Sequence, residues 1–285
     1  MIGQVRSQTG RLPASIEALP KQVPPVGDLV TLLPRGVRVY LTDIGAPETE
    51  AETLAAARRL QEAGCVPIPH LAARRITSRD ALERRVGRLA EEAGVMDVLV
   101  IGGGITPPAG PFSSSLDVLE TGVLDRFGIR DFAVAGHPEG SPDFTDAIAL
   151  EALRRKLDFA ERTNARMRIV TQFGFDAPKA LAWADGLVRA GIDVPIHLGV
   201  AGPAKITTLI KYGTMCGIGN SLSVLSRHGG GLMALATGYS PETVVGPVEE
   251  RLRTGTPGPI TQIHVFPFGG LDKSAAWLRK RGSWC

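Results

Sequence analysis

Eight times along this chain an apolar run rich in β-branched residues is followed by an amphipathic stretch, and that rhythm limits the possible folds more than any other feature. The runs expected as strands are Ser15–Leu19, Val37–Ile44, Cys65–Leu71, Asp97–Ile101, Phe132–Ala135, Arg168–Phe173, Val194–Val200 and Thr261–Phe268. The intervening segments carry helical periodicity. Glu50–Ala63, Ser78–Ala93, Leu116–Phe127, Asp146–Thr163 and Pro178–Ala190 are expected as helices, with Ser78 as an N-cap. Gly64, Gly94, Gly128 and Gly191 each follow such a segment, where a left-handed residue ends a helix. Strand and helix in strict alternation imply parallel pairing through right-handed crossovers. Eight units in 285 residues predict an α/β fold, a closed (β/α)8 TIM barrel occupying 1–285 as a single domain. An open doubly wound sheet for a dinucleotide would want its glycine motif after the first strand. Here Gly102-Gly103-Gly104 follows the fourth, which favours the barrel. The Pro-rich Lys21–Gly36 is expected to hold a short helix or a plug at the barrel bottom.

The chain is 44% hydrophobic and 21% charged, enough apolar material for a sizeable core. A net charge of +3 is too small to argue for nucleic acid and allows only a weak preference for anionic ligands. Cys65, Cys216 and Cys285 form no CxxC pair and sit with no histidine at ligand spacing, so no metal site is expected and a reducing compartment is favoured. Cys65 is expected as a small core residue. The first residues lack the apolar run of a signal peptide, and no stretch reaches 18 apolar residues. A cytoplasmic protein without a membrane span is therefore expected.

In barrels of this kind chemistry sits at the carboxyl ends of the strands. Read in order, those ends carry Glu17, Thr42-Asp43, Pro69-His70, Gly102-Gly103-Gly104, His137-Pro138-Glu139, Gln172, His197 with Gly199, and Phe266-Pro267-Phe268-Gly269-Gly270. A carboxylate inside an apolar strand loses hydration, which raises its pKa and suits a general acid. Glu17 is either that acid or a structural partner of an Arg or Lys. Gln172 closes an apolar strand, and its amide needs a partner, either in a ligand or in a neighbouring loop. His70 is a ligand contact or a packed core imidazole. The three glycines allow close backbone approach to a cofactor, or form a plain tight turn. Of the basic triplet Arg154-Arg155-Lys156, at least one side chain should lie near the apolar edge of its helix, where it could hold a diphosphate.

These residues in this order resemble the methylenetetrahydrofolate reductase family, over nearly the whole chain. The most specific stretches are Pro69-His70-Leu71, the turn from Gly103 to Pro108, Pro138-Glu139, Leu153–Asp158 followed by Thr171-Gln172-Phe173, and Ala190–Ile196 leading to Gly199. The resemblance implies a (β/α)8 barrel that carries FAD and passes a hydride from NADH or NADPH to 5,10-methylenetetrahydrofolate, giving 5-methyltetrahydrofolate. It implies that Glu17 protonates the folate and that Gln172 bonds the pterin, with Phe268 on the substrate side. Thr42 and His70 then line the flavin, and Arg155 and Lys156 lie near its phosphates; Gly102, Gly103 and Gly104, whose amides could stand in for a phosphate-binding Arg, and His137, at a family position after the fifth strand, complete the expected cofactor contacts.

The departures from the family pattern are specific. Where the family reads Leu-Arg-Gly-Asp at the fourth strand end, this chain reads Ile101-Gly102-Gly103-Gly104. An Arg for the diphosphate and an Asp beside the developing folate cation are both absent. Ala149, Ala152, Ile206 and Gly270 also replace larger or polar family residues. Two alternatives follow: direct hydride transfer from nicotinamide to folate without flavin, and a folate-binding homologue with reduced catalysis. The Leu271–Cys285 stretch is expected as the last barrel helix and a surface tail, or as a homo-oligomer contact.

Overall fold

A computed structural model of the chain describes residues 10–43, 48–215, 239–255 and 258–284. Cys216, Cys285, Ile44 and the first nine residues lie outside them. Eight parallel strands close into a barrel in chain order. They are β1 Ala14–Ala18, β2 Arg38–Leu41, β3 Val66–Ala72, β4 Asp97–Ile101, β5 Asp131–Gly136, β6 Arg166–Thr171, β7 Ile196–Ala201 and β8 Ile260–Phe266. The first and last strands pair with Ala14 opposite Ile263 and Ile16 opposite Val265. The (β/α)8 expectation holds in this element order.

The helices are α1 Val26–Leu32, α2 Glu48–Glu62, α3 Arg79–Ala93, α4 Ser115–Leu119, α5 Val123–Arg126, α6 Asp146–Thr163, α7 Ala177–Arg189, α8 Ile206–Met215, α9 Glu242–Arg253 and α10 Leu271–Lys280. The Ser78 hydroxyl accepts the Ala81 N–H at 3.1 Å, which caps α3 as expected. The Pro-rich stretch holds α1 and a 3-10 turn at Pro20–Gln22. The expected helix over Leu116–Phe127 is two short helices, because Gly122 adopts φ 74° between them. Helix-ending Gly64, Gly94, Gly128 and Gly191 all have positive φ.

By contacts the chain separates into two compact units, one of Met1–Ile16, Gly136–Glu151 and Val170–Cys285, the other of Glu17–Ala135 and Ala152–Ile169. Outward-facing residues such as Val98, Val100, Leu198 and Val200 are buried apolar contacts for the helices. The alternate face of several strands is polar. In the second unit Arg168 of β6 pairs with Asp97 of β4 at 2.9 Å, and its Nε donates to the Tyr40 hydroxyl of β2 at 3.0 Å. Burial pushes the Asp97 carboxyl up, against the pull of Arg168. In the first unit Ser15 Oγ lies 3.1 Å from His264 Nδ1, both fully buried. Cys65 is buried as expected, and burial pushes its thiol up to about 11.

Candidate functional site

In the second unit the carboxyl ends of β1 to β4 carry Glu17, Thr42, His70 and the glycine turn. Glu17 is the fourth residue of β1 and half-buried. The full desolvation expected from its apolar strand is therefore not met, because the strand end opens to solvent. Thr42 follows β2 and its N–H donates to the Ala18 carbonyl at 3.2 Å. The Thr42 hydroxyl oxygen is buried and has no hydrogen-bond partner among the described residues. His70 is buried, with its ring edge-on to Tyr40 at 6.2 Å.

Arg85 locks these strand ends together. It reaches in from α3, donating to the Asp43 carboxylate at 2.8 Å and to the His70 carbonyl at 3.0 Å. Asp43 also accepts the Ala72 N–H at 3.4 Å. The sequence held a signal for this residue: Arg85 sits three positions after Leu82 and one before Val86, on the apolar stripe of α3. A buried guanidinium on that stripe requires an anionic partner. Asp43 is thereby committed to Arg85 and does not replace the acidic residue missing at Gly104.

Gly103 has φ 82° and its absent Cβ would lie 3.2 Å from the Ala72 Cβ, so this position requires glycine. At Gly102 and Gly104 a Cβ would meet nothing within 4 Å, so open space borders both. The Gly102 carbonyl accepts the Arg74 N–H at 2.9 Å. On α6, Arg154 and Arg155 are exposed and Lys156 is half-buried. Burial lowers the Lys156 pKa from 10.5 to about 8, with no carboxylate to offset it. Of the basic triplet, Lys156 is the member at the apolar edge.

In the first unit lie His137, Gln172 and Phe268. His137 follows β5, half-buried, with its ring edge-on to Phe144 at 5.0 Å. Gln172 follows the last residue of β6, and its N–H donates to the Gly136 carbonyl at 2.9 Å. Its side-chain oxygen accepts the Phe173 N–H at 3.1 Å. The local loop thus takes the amide carbonyl, and the amide nitrogen remains to donate. A small cleft beside it is lined by Pro138, Glu139, Gln172, Gly174, Asp176 and Gly199 among others. Gly199 is essential to the backbone there: a Cβ would lie 2.3 Å from the Thr171 carbonyl oxygen. Phe268 stacks on Tyr212 at 4.5 Å and meets Phe173 edge-on at 4.7 Å. These rings join Phe175, Phe266 and Tyr239 in one aromatic cluster.

His197 is placed differently from the strand-end expectation. It is the second residue of β7, buried within the strand near its amino end. The apolar run was read as beginning at Val194, two residues before hydrogen bonding starts, which moved His197 toward the middle of the strand. Among the described residues, no three His, Cys, Asp or Glu side chains gather as a metal site. No helix among them is long and apolar enough to cross a membrane.

No family model matches the chain. A protein named 5,10-methylenetetrahydrofolate reductase from Salmonella typhimurium is 31% identical over 160 residues, 55% of this chain and 51% of that protein. Proteins of the same name from Escherichia coli and Shigella flexneri are each 30% identical over 162 residues, 54% of this chain and 50% of theirs. The chain spans about half the length of the curated relatives it matches. Among solved structures, a β-glucosidase from Thermotoga maritima overlaps with a TM-score of 0.43 at 10% identity, covering 91% of this chain and 86% of that one.

Proposed function

We propose that this chain, a divergent relative of the 5,10-methylenetetrahydrofolate reductases, works as a single catalytic barrel domain that interconverts 5,10-methylenetetrahydrofolate and 5-methyltetrahydrofolate. NADH or NADPH is the electron partner. The observation that carries this reading is the relatives' name at about 30% identity, taken with a strand-end carboxylate at Glu17.

In this reading Glu17 is the general acid, which holds the proton delivered as the folate ring opens. Half-burial at a strand end leaves it accessible to substrate while limiting its hydration. Gln172 donates from its amide nitrogen to an acceptor on the pterin, because its oxygen is already engaged. Phe268, packed in the aromatic cluster of the first unit, is read as an apolar substrate contact.

FAD fits the residues of the second unit. Among the described residues Thr42 offers a buried hydroxyl without a partner, Gly102 and Gly104 border open space, and the Lys156 ammonium meets no carboxylate. Thr42, His70 and Gly102–Gly104 would hold the ring system and its linker. Lys156, with Arg155 from the exposed side of α6, would hold the phosphates. Bound FAD would supply the relay of a hydride between nicotinamide and folate. A second reading, direct transfer from nicotinamide to folate, is favoured by the solvent-facing Arg155 and by the glycine at 104.

Glu17→Gln tests the assignment. Folate turnover should fall by about 10²–10⁴-fold, the usual contribution of a positioned acid, with binding and folding retained. Full activity of this variant would remove Glu17 from the chemistry. Failure of the wild-type protein to bind or turn over methyl-folate would remove the function. Purified protein that is colourless and fully active without added FAD would decide for the second reading.

A further inference from the structure

We propose that Glu139 is a positioning residue that fixes the turn carrying Gln172, and so sets where the amide donor meets folate; this deepens the functional reading above and rests on it. Glu139 lies in the loop after β5, half-buried in the cleft that Gln172 also lines. Its Oε1 accepts the Phe175 N–H at 3.2 Å. A Cβ at Gly174 would lie 2.3 Å from that same oxygen and 3.1 Å from the carboxyl carbon. Glycine at 174 is what allows the carboxylate to reach the backbone. On the other side of the loop, Lys179 Nζ donates to the Glu139 carbonyl at 3.4 Å, and Asp176 caps α7 by accepting the Lys179 N–H at 2.9 Å.

The other end of the turn is fixed by the sheet. Gln172 N–H bonds Gly136, and Gly199 N–H bonds the Thr171 hydroxyl at 2.8 Å. Four residues, Gln172 to Phe175, are thus held at the start by β5 and β7, in the middle by the bridge from Gly174 to Val200, and at the end by the Glu139 carboxylate together with the packing of the Phe175 ring. Without that carboxylate the Phe175 N–H loses this acceptor, and the far end of the turn loses its polar fixing and relies on the Gly174 bridge and ring packing. A donor moved by an ångström loses most of its directional bond to a ligand.

A carboxylate in a cleft could instead be an acid, and the variants separate the two roles. Gln at 139 retains an oxygen for the Phe175 N–H but cannot deliver a carboxyl proton. In the full-length protein, Glu139→Ala should raise KM for methyl-folate by about tenfold, the worth of one aligned hydrogen bond, with kcat changed far less. Glu139→Gln should restore most of the affinity. Gly174→Ala should reproduce the Glu139→Ala effect by pushing the carboxylate off the turn. The double variant Glu139→Ala/Gly174→Ala should then be no worse than either single change.

Amide exchange at Phe175, measured without ligand, should quicken in Glu139→Ala and recover in Glu139→Gln. Unchanged exchange would overturn the clamp whatever the activity. A Glu139→Gln variant as damaged as Glu139→Ala would also overturn it, and would make Glu139 a catalytic acid. A uniform loss of melting temperature with KM unchanged would reduce Glu139 to a structural contact. Wild-type protein that does not bind methyl-folate, but shows the exchange pattern, would sink the folate reading and the ligand half of this inference while the turn geometry stands.

Discussion

Lys156 is a single ammonium that burial disfavours, a cost that losing its proton or gaining an anion would relieve. Its ammonium is half-buried on α6 without a carboxylate, and burial brings its pKa down to about 8. A group whose folded pKa lies below its unfolded one disfavours the charged folded state. The cost is complete below pH 8 and disappears as pH rises toward 10.5, where both states are neutral. Lys156→Met should therefore raise the melting temperature of the ligand-free protein at pH 7, by the equivalent of about 1–2 kcal/mol after allowing for solvent screening. That advantage should shrink as the scan moves above pH 8. The same variant should bind FAD more weakly. In the wild type, FAD affinity should fall as pH rises past 8, at a somewhat higher midpoint because a bound phosphate favours the proton. A Lys156→Met protein no more stable at pH 7 and unchanged in FAD binding would show that this ammonium meets neither desolvation nor anion.

At the scale of elements, periodicity located most of the fold. Asp97–Ile101 and Asp146–Thr163 have the same bounds by pattern and by structure, because apolar runs there coincide with the hydrogen-bonded span. The misses have local causes. The Leu116–Phe127 pattern is continuous in apolar spacing, and only the φ of Gly122 breaks it. Strand ends also drift: the β6 run continues apolar through Phe173 while the ladder stops at Thr171. The strand-end positions of Glu17, Thr42 and Gln172 were legible, because polar residues interrupt otherwise apolar runs. The partners were not. Arg85 and Asp43 are 42 residues apart, and no local pattern joins a helix face to a distant strand end. Their pairing leads to a test. Arg85→Met should leave the buried Asp43 carboxylate without its guanidinium partner, at a cost of about 3–5 kcal/mol. Adding Asp43→Asn should recover part of this, since both charges are then gone. Equal stability of the single and double variants would deny the coupling. Because Asp43 follows Thr42 and Arg85 holds the His70 carbonyl, weaker FAD binding should accompany the single change.

At the scale of the molecule, a ring of parallel strands requires its first and last members to find each other, and here the chain's end reinforces that closure. Strand β1 pairs with β8, and the segment after α10 folds back onto the backbone that leads into β1. Ser283 Oγ donates to the Leu12 carbonyl at 2.7 Å, and the Trp284 indole N–H donates to the Ala14 carbonyl at 2.9 Å. Arg281 is the hub. It bonds Glu249 of α9 at 2.9 Å, Glu242 at 2.9 Å and the Ser283 hydroxyl, and its guanidinium lies 5.1 Å from the centre of the Trp277 ring. Glu249 in turn accepts from Arg11 at 2.7 Å and from the Leu12 N–H at 2.8 Å. The expectation of a last helix with a packed tail is thus met through residue 284. Exposed ion pairs contribute little, but Arg281 and Glu249 are both buried, and removing Arg281 leaves Glu249 only the more exposed Arg11 and the Leu12 N–H. Arg281→Ala should cost about 2–3 kcal/mol, less than a buried charge stripped of every partner, because Arg11 still faces Glu249. Trp284→Phe, which preserves the ring but loses its N–H, should cost about 1 kcal/mol. Combining Arg281→Met with Glu249→Gln should be milder than Arg281→Ala, because neither buried charge of the pair remains and the methionine keeps part of the packing. Chemical denaturation of the three proteins ranks these costs. If Arg281→Ala unfolds at the wild-type midpoint, the tail rests on the barrel without holding its closure.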